Sequence, residues 1–549
     1  MVEWRQQFDE LRRRRPGLAA RVCRRLLRDL QKKKLVDLDA LDELAAALKA
    51  GQRKTHDPNR PKPRMTNGSK EELYALALEY AERHLEPAEI TATMLLVEKR
   101  MLVQEGARLA EDPDTPLDVL RDKIHEFLDF APGEAVAPPE DVEGTRAALV
   151  RRFLTDQLDF ISVAKRYIRV LDFGEVLDHV LPTESRYGRL GGKAAGLILA
   201  HSILQEAKRE GRLEADHKIP NSYFLPSNGI LEFIEHNELD ELINVKYKTS
   251  EEVRDEYPLV ERLFKSGTFP PIIHKGLEEM LYQIGEVPLV VRSSSLLEDR
   301  IGHAFSGKYK SLFISNKGTL EMRLAALEDA IAEVYASLFH SDPIEYRRER
   351  GLIDFQEQMG ILIQEVVGRE AGGMLFPAFA GVAFSRCEMR WSPRIRHTDG
   401  MARLVLGLGT RAVDRTVTDY PILVALEQPA LRAVQRPDEV YRYSQHDVDV
   451  IDLRESQFES LPLAEYMKRV GRAIPNMNRI FSIYRDDQIL PMVGILAQLD
   501  PEELVVTFDG LLNSPFPREL KKMLDLLEEG LGEPVDVEFA HDGDAFYML

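Results

Sequence analysis

Cysteine is nearly absent from this sequence: Cys23 and Cys387 are the two in 549 residues. Two thiols so far apart form no metal-ligand spacing and no disulfide framework, which excludes a zinc ribbon or a disulfide-stapled domain. Long apolar runs are missing too. No stretch of about eighteen apolar residues occurs, so no membrane partner is expected. The opening Met1-Val2-Glu3-Trp4-Arg5 is charged and lacks the apolar core of a secretion signal. The expectation is a cytoplasmic protein. Aromatics are sparse where charge is densest: Trp4 and Phe8 are the two in the first 64 residues. A stacking platform for single strands is therefore not expected there.

What is present is ordinary for a globular protein, with 44% hydrophobic and 30% charged residues. The length is too great for one core, so two to four domains are expected. The net charge of −19 conceals an asymmetry. Residues 1–64 carry 18 Lys+Arg against 9 Asp+Glu, or +9, leaving −28 (55 basic, 83 acidic) for the rest. Such a segment suits nucleic acid, an acidic partner or its own body. A solvated helical face is the favoured reading, and nucleic acid is not the expected partner.

Residues 1–50 read as helices broken near Pro16, with leucines at helical spacing from Leu26 to Leu48. Gln52 to Gly68 is a polar, proline-rich linker. Ser69-Lys70-Glu71-Glu72 reads as a capping box opening the next helix. Helical texture runs on to Ala131, a Pro/Gly-rich loop follows to Asp141, and a helix spans about Glu143 to Val170. The expected division is a basic helical arm and linker at 1–64, an all-α domain at 65–174, and a mixed domain at 175–549. In the last, Leu289-Val290-Val291, Ile361-Leu362-Ile363, Gly381 to Phe384 and Leu404 to Leu406 read as strands between helices, an α+β pattern. Val535 to Ala540 alternates like a half-buried strand, and a tight turn at Asp542-Gly543 returns Phe546 to Leu549 antiparallel.

Two segments read as anion-receptive. Gly188-Arg189-Leu190-Gly191-Gly192-Lys193-Ala194-Ala195-Gly196 enters an Ala/Leu/Ile run. Glycines allow a turn that points several N–H groups at one anion, and a helix starting at Ala194 adds its positive end. Lys193 supplies a mobile cation. A glycine loop capping a buried helix is the competing reading. About a hundred residues on, a strand leads into Arg292-Ser293-Ser294-Ser295, a guanidinium with hydroxyls beside it suited to phosphate. Its competing reading is a structural arginine paired with Glu298 or Asp299.

The order of these and later motifs resembles a known family. Gly191-Gly192-Lys193, Ile219-Pro220 leading to Phe224 and Ser227, Val291-Arg292-Ser293-Ser294 and Phe305-Ser306-Gly307 resemble the nucleotide-binding domain of phosphoenolpyruvate synthases and pyruvate phosphate dikinases. Rifampicin phosphotransferases and glucan water dikinases share that domain. Ile363 to Val367 resembles its hinge strand beside adenine, Gly381 to Arg386 its G-V-x-F-[ST]-R strand, Gly407-Leu408-Gly409 and Thr418-Asp419-Tyr420 its next two segments, and Val535 to Leu549 its closing hairpin. The resemblance covers roughly residues 175–549 and implies an ATP-grasp fold.

It also implies roles. Gly191, Gly192, Lys193, Arg292, Ser293 and Ser294 would hold ATP phosphates, with Lys193 and Arg292 also stabilising the transferred phosphoryl group. Gln364 would read the adenine edge with the backbone of Glu365 to Val367. Glu538 would hold Mg²⁺. The implied activity is phosphoryl transfer from Mg·ATP to a histidine on a separate carrier domain, and acceptor choice lies with such further domains. Departures accompany the match. Thr410 replaces the acid after Gly-Leu-Gly, and Arg403 stands where an acid often precedes it. Basic Arg411 and Arg415 would bind phosphate or pair with Asp414. The family's Gln-x-Arg falls beyond Leu549, and none of the 13 histidines sits in a carrier motif. The expectation is a module of a longer protein or one served by a carrier in trans, with a degenerate nucleotide sensor or scaffold as the alternative.

Overall fold

The computed structural model describes residues 3–35, 67–130, 139–185, 188–297, 309–355, 357–413, 419–492 and 500–549. The chain forms two compact units, Met1–Asp112 with Asp118–Arg146, and Pro113–Leu117 with Ala147–Leu549.

The first unit is helical, with α1 (Glu3–Arg14), α2 (Pro16–Lys32), α3 (Asn67–His84), α4 (Pro87–Glu111), α5 (Leu117–Phe130) and the start of α6 (Pro139–Phe153). The break at Pro16 is where the sequence places it, because proline is tolerated at a helix's first position and not inside it. Val22, Cys23, Leu26 and Leu30 of α2 recur at helical spacing and are buried against Trp4, Phe8, Ala77, Ala81 and Ile90. The helices of the basic segment thus share one core with α3 and α4. Ser69 does not cap a helix: α3 already includes Asn67. The expected linker lies largely outside the described residues, as do 131–138 of the second loop and the 36–48 stretch of the leucine pattern.

The single helix expected over 143–170 is two, α6 and α7 (Leu158–Tyr167), and α8 (Val170–Asp178) starts at its expected end. Local polar side chains compete for the backbone at both breaks. The Gln157 N–H donates to the Thr155 hydroxyl at 3.2 Å, and the Arg169 N–H to the Asp172 carboxylate at 2.8 Å.

In the second unit the strands, numbered in chain order, form four sheets. β1 (Ser222–Leu225), β2 (Leu289–Ser295), β3 (Ser311–Ile314) and β4 (Met359–Glu365) form an antiparallel sheet in the order β1-β4-β2-β3. One face packs on helices through Phe233, Phe264, Leu277, Ile331 and Tyr335. A small sheet holds β5 (Arg369–Ala371), β6 (Met374–Phe376), β10 (Asp447–Asp452) and β11 (Gln457–Pro462). A five-stranded sheet runs β16-β15-β7-β8-β9, with β7 (Phe379–Phe384), β8 (Met401–Val405), β9 (Ile422–Ala425), β15 (Asp536–His541) and β16 (Phe546–Met548). The fourth contains β12 (Phe481–Arg485), β13 (Gln488–Pro491) and β14 (Leu504–Val506). The α+β class is thereby established.

Two local readings change. β2 does not end at Val291 but continues through Ser295, because Ser293, Ser294 and Ser295 pair with Ile361, Gly360 and Met359 of β4. The β15–β16 connection is a four-residue loop, 542–545, in which the Asp542 carboxylate accepts the N–H groups of Asp544 and Ala545. Among the described residues no helix is long and apolar enough to cross a membrane.

Candidate functional site

A cavity of about 330 Å³ opens between the β1–β4 sheet and the five-stranded sheet. Its lining includes Lys193, Arg292, Gln364, Glu365, Val367 and Glu538, six of the residues expected at a phosphate or nucleotide site. Gly191, Gly192, Ser293 and Ser294 are not in the lining; they form the support behind Lys193.

That support begins with helix α9 (Gly192–Arg209), which starts two residues before the expected Ala194. Gly191 has φ +87, and a Cβ there would lie 1.7 Å from the Ser294 carbonyl oxygen. Only glycine meets both conditions. The loop is therefore docked onto β2 rather than left as an open cradle. The Ala194 N–H donates to the Ser294 hydroxyl at 3.1 Å, and Lys193 Nζ donates to the Ser293 hydroxyl at 3.1 Å. Ser294 thus takes up one of the helix's first donors, and Ser293 holds Lys193 at the cavity wall. Tyr187 lies outside the described residues.

Arg292, buried in mid-strand, forms an ion pair with Glu538 of β15. Its other terminal nitrogen donates to Gln364 Oε1 at 3.4 Å, and Gln364 Nε2 donates to the Ser222 hydroxyl at 3.0 Å. The buried Gln364 amide thus has protein partners on both sides and orients Arg292. Glu538 is desolvated, which opposes its charge, but the Arg292 and Lys193 cations outweigh this and hold its carboxyl below the usual range. Glu298 and Asp299, the other partners considered for Arg292, lie outside the described residues with Phe305-Ser306-Gly307.

The substituted positions acquire definite partners. Glu538, Val382 and Arg403 lie directly opposite one another on β15, β7 and β8 and share a sheet face. The Arg403 guanidinium sits over the Phe384 ring, 5.3 Å from its centroid. Thr410 lines the cavity and donates its hydroxyl to Asp449 at 2.5 Å. Arg411 pairs with the buried Asp449 at 2.9 Å and Asp419 at 2.6 Å. It acts as an internal clamp and does not line the cavity; Asp414 and Arg415 lie outside the described residues. Among the described residues no group of three or more His, Cys, Asp or Glu forms a metal cluster.

Tyr309, Lys310 and Phe313 are among the lining residues that sequence reasoning missed. Burial opposes the Lys310 charge, but the Glu261 and Glu333 carboxylates, at 2.8 and 2.9 Å, hold its ammonium above the ordinary lysine range. Phe313 stacks on Phe458 of β11 with centroids 5.8 Å apart. No motif marks any of the three.

Residues 187–549 match the family model of the pyruvate phosphate dikinase AMP/ATP-binding domain. The chain belongs to this family. The dikinase-domain match spans most of the second unit and includes every cavity residue named above. Similar curated proteins are phosphotransferases. The uncharacterized phosphotransferase YvkC of Bacillus subtilis is 29% identical over 160 residues, 29% of this chain and 17% of that protein. The rifampicin phosphotransferases of Bacillus subtilis and Streptomyces sviceus are 25% and 26% identical over 167 and 223 residues, 29% and 40% of this chain. The matches cover 19% and 23% of those proteins, so the chain corresponds to less than a quarter of each relative's length.

Proposed function

We propose that this dikinase-type domain, residues 175–549 in an ATP-grasp arrangement, binds Mg·ATP in the 330 Å³ cavity and cuts it to AMP, one phosphoryl group passing to a histidine on a carrier domain, in cis or in trans, and the other to water as inorganic phosphate. One observation carries the reading: Lys193, Arg292 and Glu538, from three distant stretches of chain, meet at one cavity of a domain whose family binds ATP. Lys193 and Arg292 supply fixed cations where charge gathers on the transferred group. Glu365 to Val367 border the adenine. A divalent ion fits a single carboxylate only if nucleotide phosphates complete its shell, the usual way Mg²⁺ is held in phosphoryl transfer. Glu538 is that carboxylate, released from Arg292 as the phosphates take over the guanidinium.

A second reading, a nucleotide sensor or scaffold without turnover, is favoured by the engagement of Thr410 with Asp449 and by Arg403 beside the Glu538 row. Incubation with ATP and a histidine-carrier domain, following AMP and phosphohistidine, separates the two. Turnover that Lys193→Ala abolishes supports the enzyme. ATP binding without AMP in any condition supports the sensor, and no ATP binding by calorimetry removes both.

A further inference from the structure

The helical unit contains a second cavity, of about 430 Å³, whose chemistry is unlike that of the first. Its lining is Arg15, Arg21, Met101, Gln104, Glu105, Arg108 and Lys123, drawn from the α1–α2 junction, α4 and α5. Four cations and one carboxylate converge there. Lys123 is neutralised by Glu126 at 2.6 Å and Glu105 at 3.5 Å. Among the described residues the three arginines make no ion pair. Arg21 is held by a neutral group instead: it donates to Gln104 Oε1 at 3.0 Å, while Gln104 Nε2 donates to Asp141 at 2.9 Å. The amide relay orients the guanidinium without cancelling its charge. The first turn of α2 carries no acidic residue to compete.

We propose that this cavity binds a compact oligophosphate. Three guanidiniums in a concave site present paired donors matched to phosphate oxygens, and their charge is close to the roughly −3 of pyrophosphate near neutral pH. Among the described residues no aromatic lines the cavity, so a nucleobase gains no stacking there and the phosphate groups are what is recognised. The site explains why the basic segment is folded into the unit: Arg15 and Arg21 are set by helices whose apolar faces are buried.

The test is calorimetric titration of the full chain with inorganic pyrophosphate at low salt, in a Lys193→Ala background that weakens the first cavity, with ADP as a parallel probe. Saturable pyrophosphate binding is expected, weakened at least tenfold by Arg108→Glu and by Arg21→Glu, and falling steeply with added salt. Arg108→Lys and Arg21→Lys, which keep the charge and lose the fork, should weaken it less, guarding against misfolding. ADP binding no tighter than pyrophosphate shows that the phosphates alone are read. Absence of binding in the Lys193→Ala background, or binding indifferent to Arg21 and Arg108, overturns the proposal. Neither result bears on ATP binding by the unaltered chain, so it fails or stands apart from the proposed function.

Discussion

Arg292 and Glu538, 246 positions apart in sequence, form an ion pair across the cavity between two sheets. The guanidinium is further held by Gln364, which is itself tied to Ser222. In the proposed function, this pair would hold a cation for phosphate against a carboxylate for metal until a nucleotide separates them.

Replacing Lys193 with alanine should weaken ATP binding roughly tenfold, about 1.4 kcal/mol, and lower turnover by about 10²-fold or more. The fold should be little affected, because the Lys193 ammonium bonds the neutral Ser293 hydroxyl and Glu538 keeps its ion pair with Arg292. Arg292→Ala should cost more in stability, since it also leaves Glu538 without its ion pair. Calorimetry and an AMP assay on both variants check this.

Gly191→Ala should be severe for so small a change. A methyl group would meet the Ser294 carbonyl in a backbone conformation that L-residues rarely adopt. A loss of at least about 2 kcal/mol is expected from strain, with Lys193 displaced along with the start of α9. Chemical denaturation and ATP titration of the variant provide the measurement.

Acid titration isolates Glu538. Its folded pKa lies below the unfolded value of about 4.3. A depressed carboxylate contributes stability that is full above the unfolded pKa and is lost as pH falls through the folded one. The stability gap between the unaltered protein and Glu538→Gln should therefore be constant near neutrality and close below about pH 4. A gap that widens in acid would contradict the ion pair's role.

His217, buried and 5.2 Å from His201 between ring centroids, has its pKa pushed down to about 4, chiefly by burial. The folded state then binds fewer protons than the unfolded chain between that value and the ordinary 6.5. Stability must fall as pH drops through this window. The loss across this window is on the order of 3 kcal/mol. Urea midpoints from pH 7 to 4 should decline less steeply in His217→Gln.

Deleting residues 1–64 removes Trp4, Phe8, Leu26 and Leu30 from the core they share with α3 and α4. The helical unit should lose its cooperative melting transition, while ATP affinity stays within about twofold. A large loss of affinity would show that the segment contributes to the nucleotide site.

Much of the second unit was legible because its strands are short β-branched runs. Leu289 to Val291, Ile361 to Ile363 and Val535 to Ala540 are strands as read. The continuation of β2 through three serines was not, since serine has no strand preference and the pairing with β4 is non-local. The three-helix division of 139–178 was hidden for the converse reason: apolar spacing is helical throughout, and single side chains, Thr155 and Asp172, decide where the backbone leaves it.

The sequence by itself determined the α+β class, the helical first third and the residues that could meet phosphate, since spacing and residue type are local properties. It left the glycine loop readable as an open cradle or a docked turn, and the protein partners of Gln364 unread. Only the tertiary structure decided these. Gly191 is pressed against Ser294 because its loop docks on β2, and Gln364 meets Arg292 because β2 and β4 are neighbours in one sheet. Thr410 and Arg411 are likewise settled by Asp449, which lies 39 and 38 positions further along the chain. Partners brought together by folding choose among the roles that residue chemistry allows.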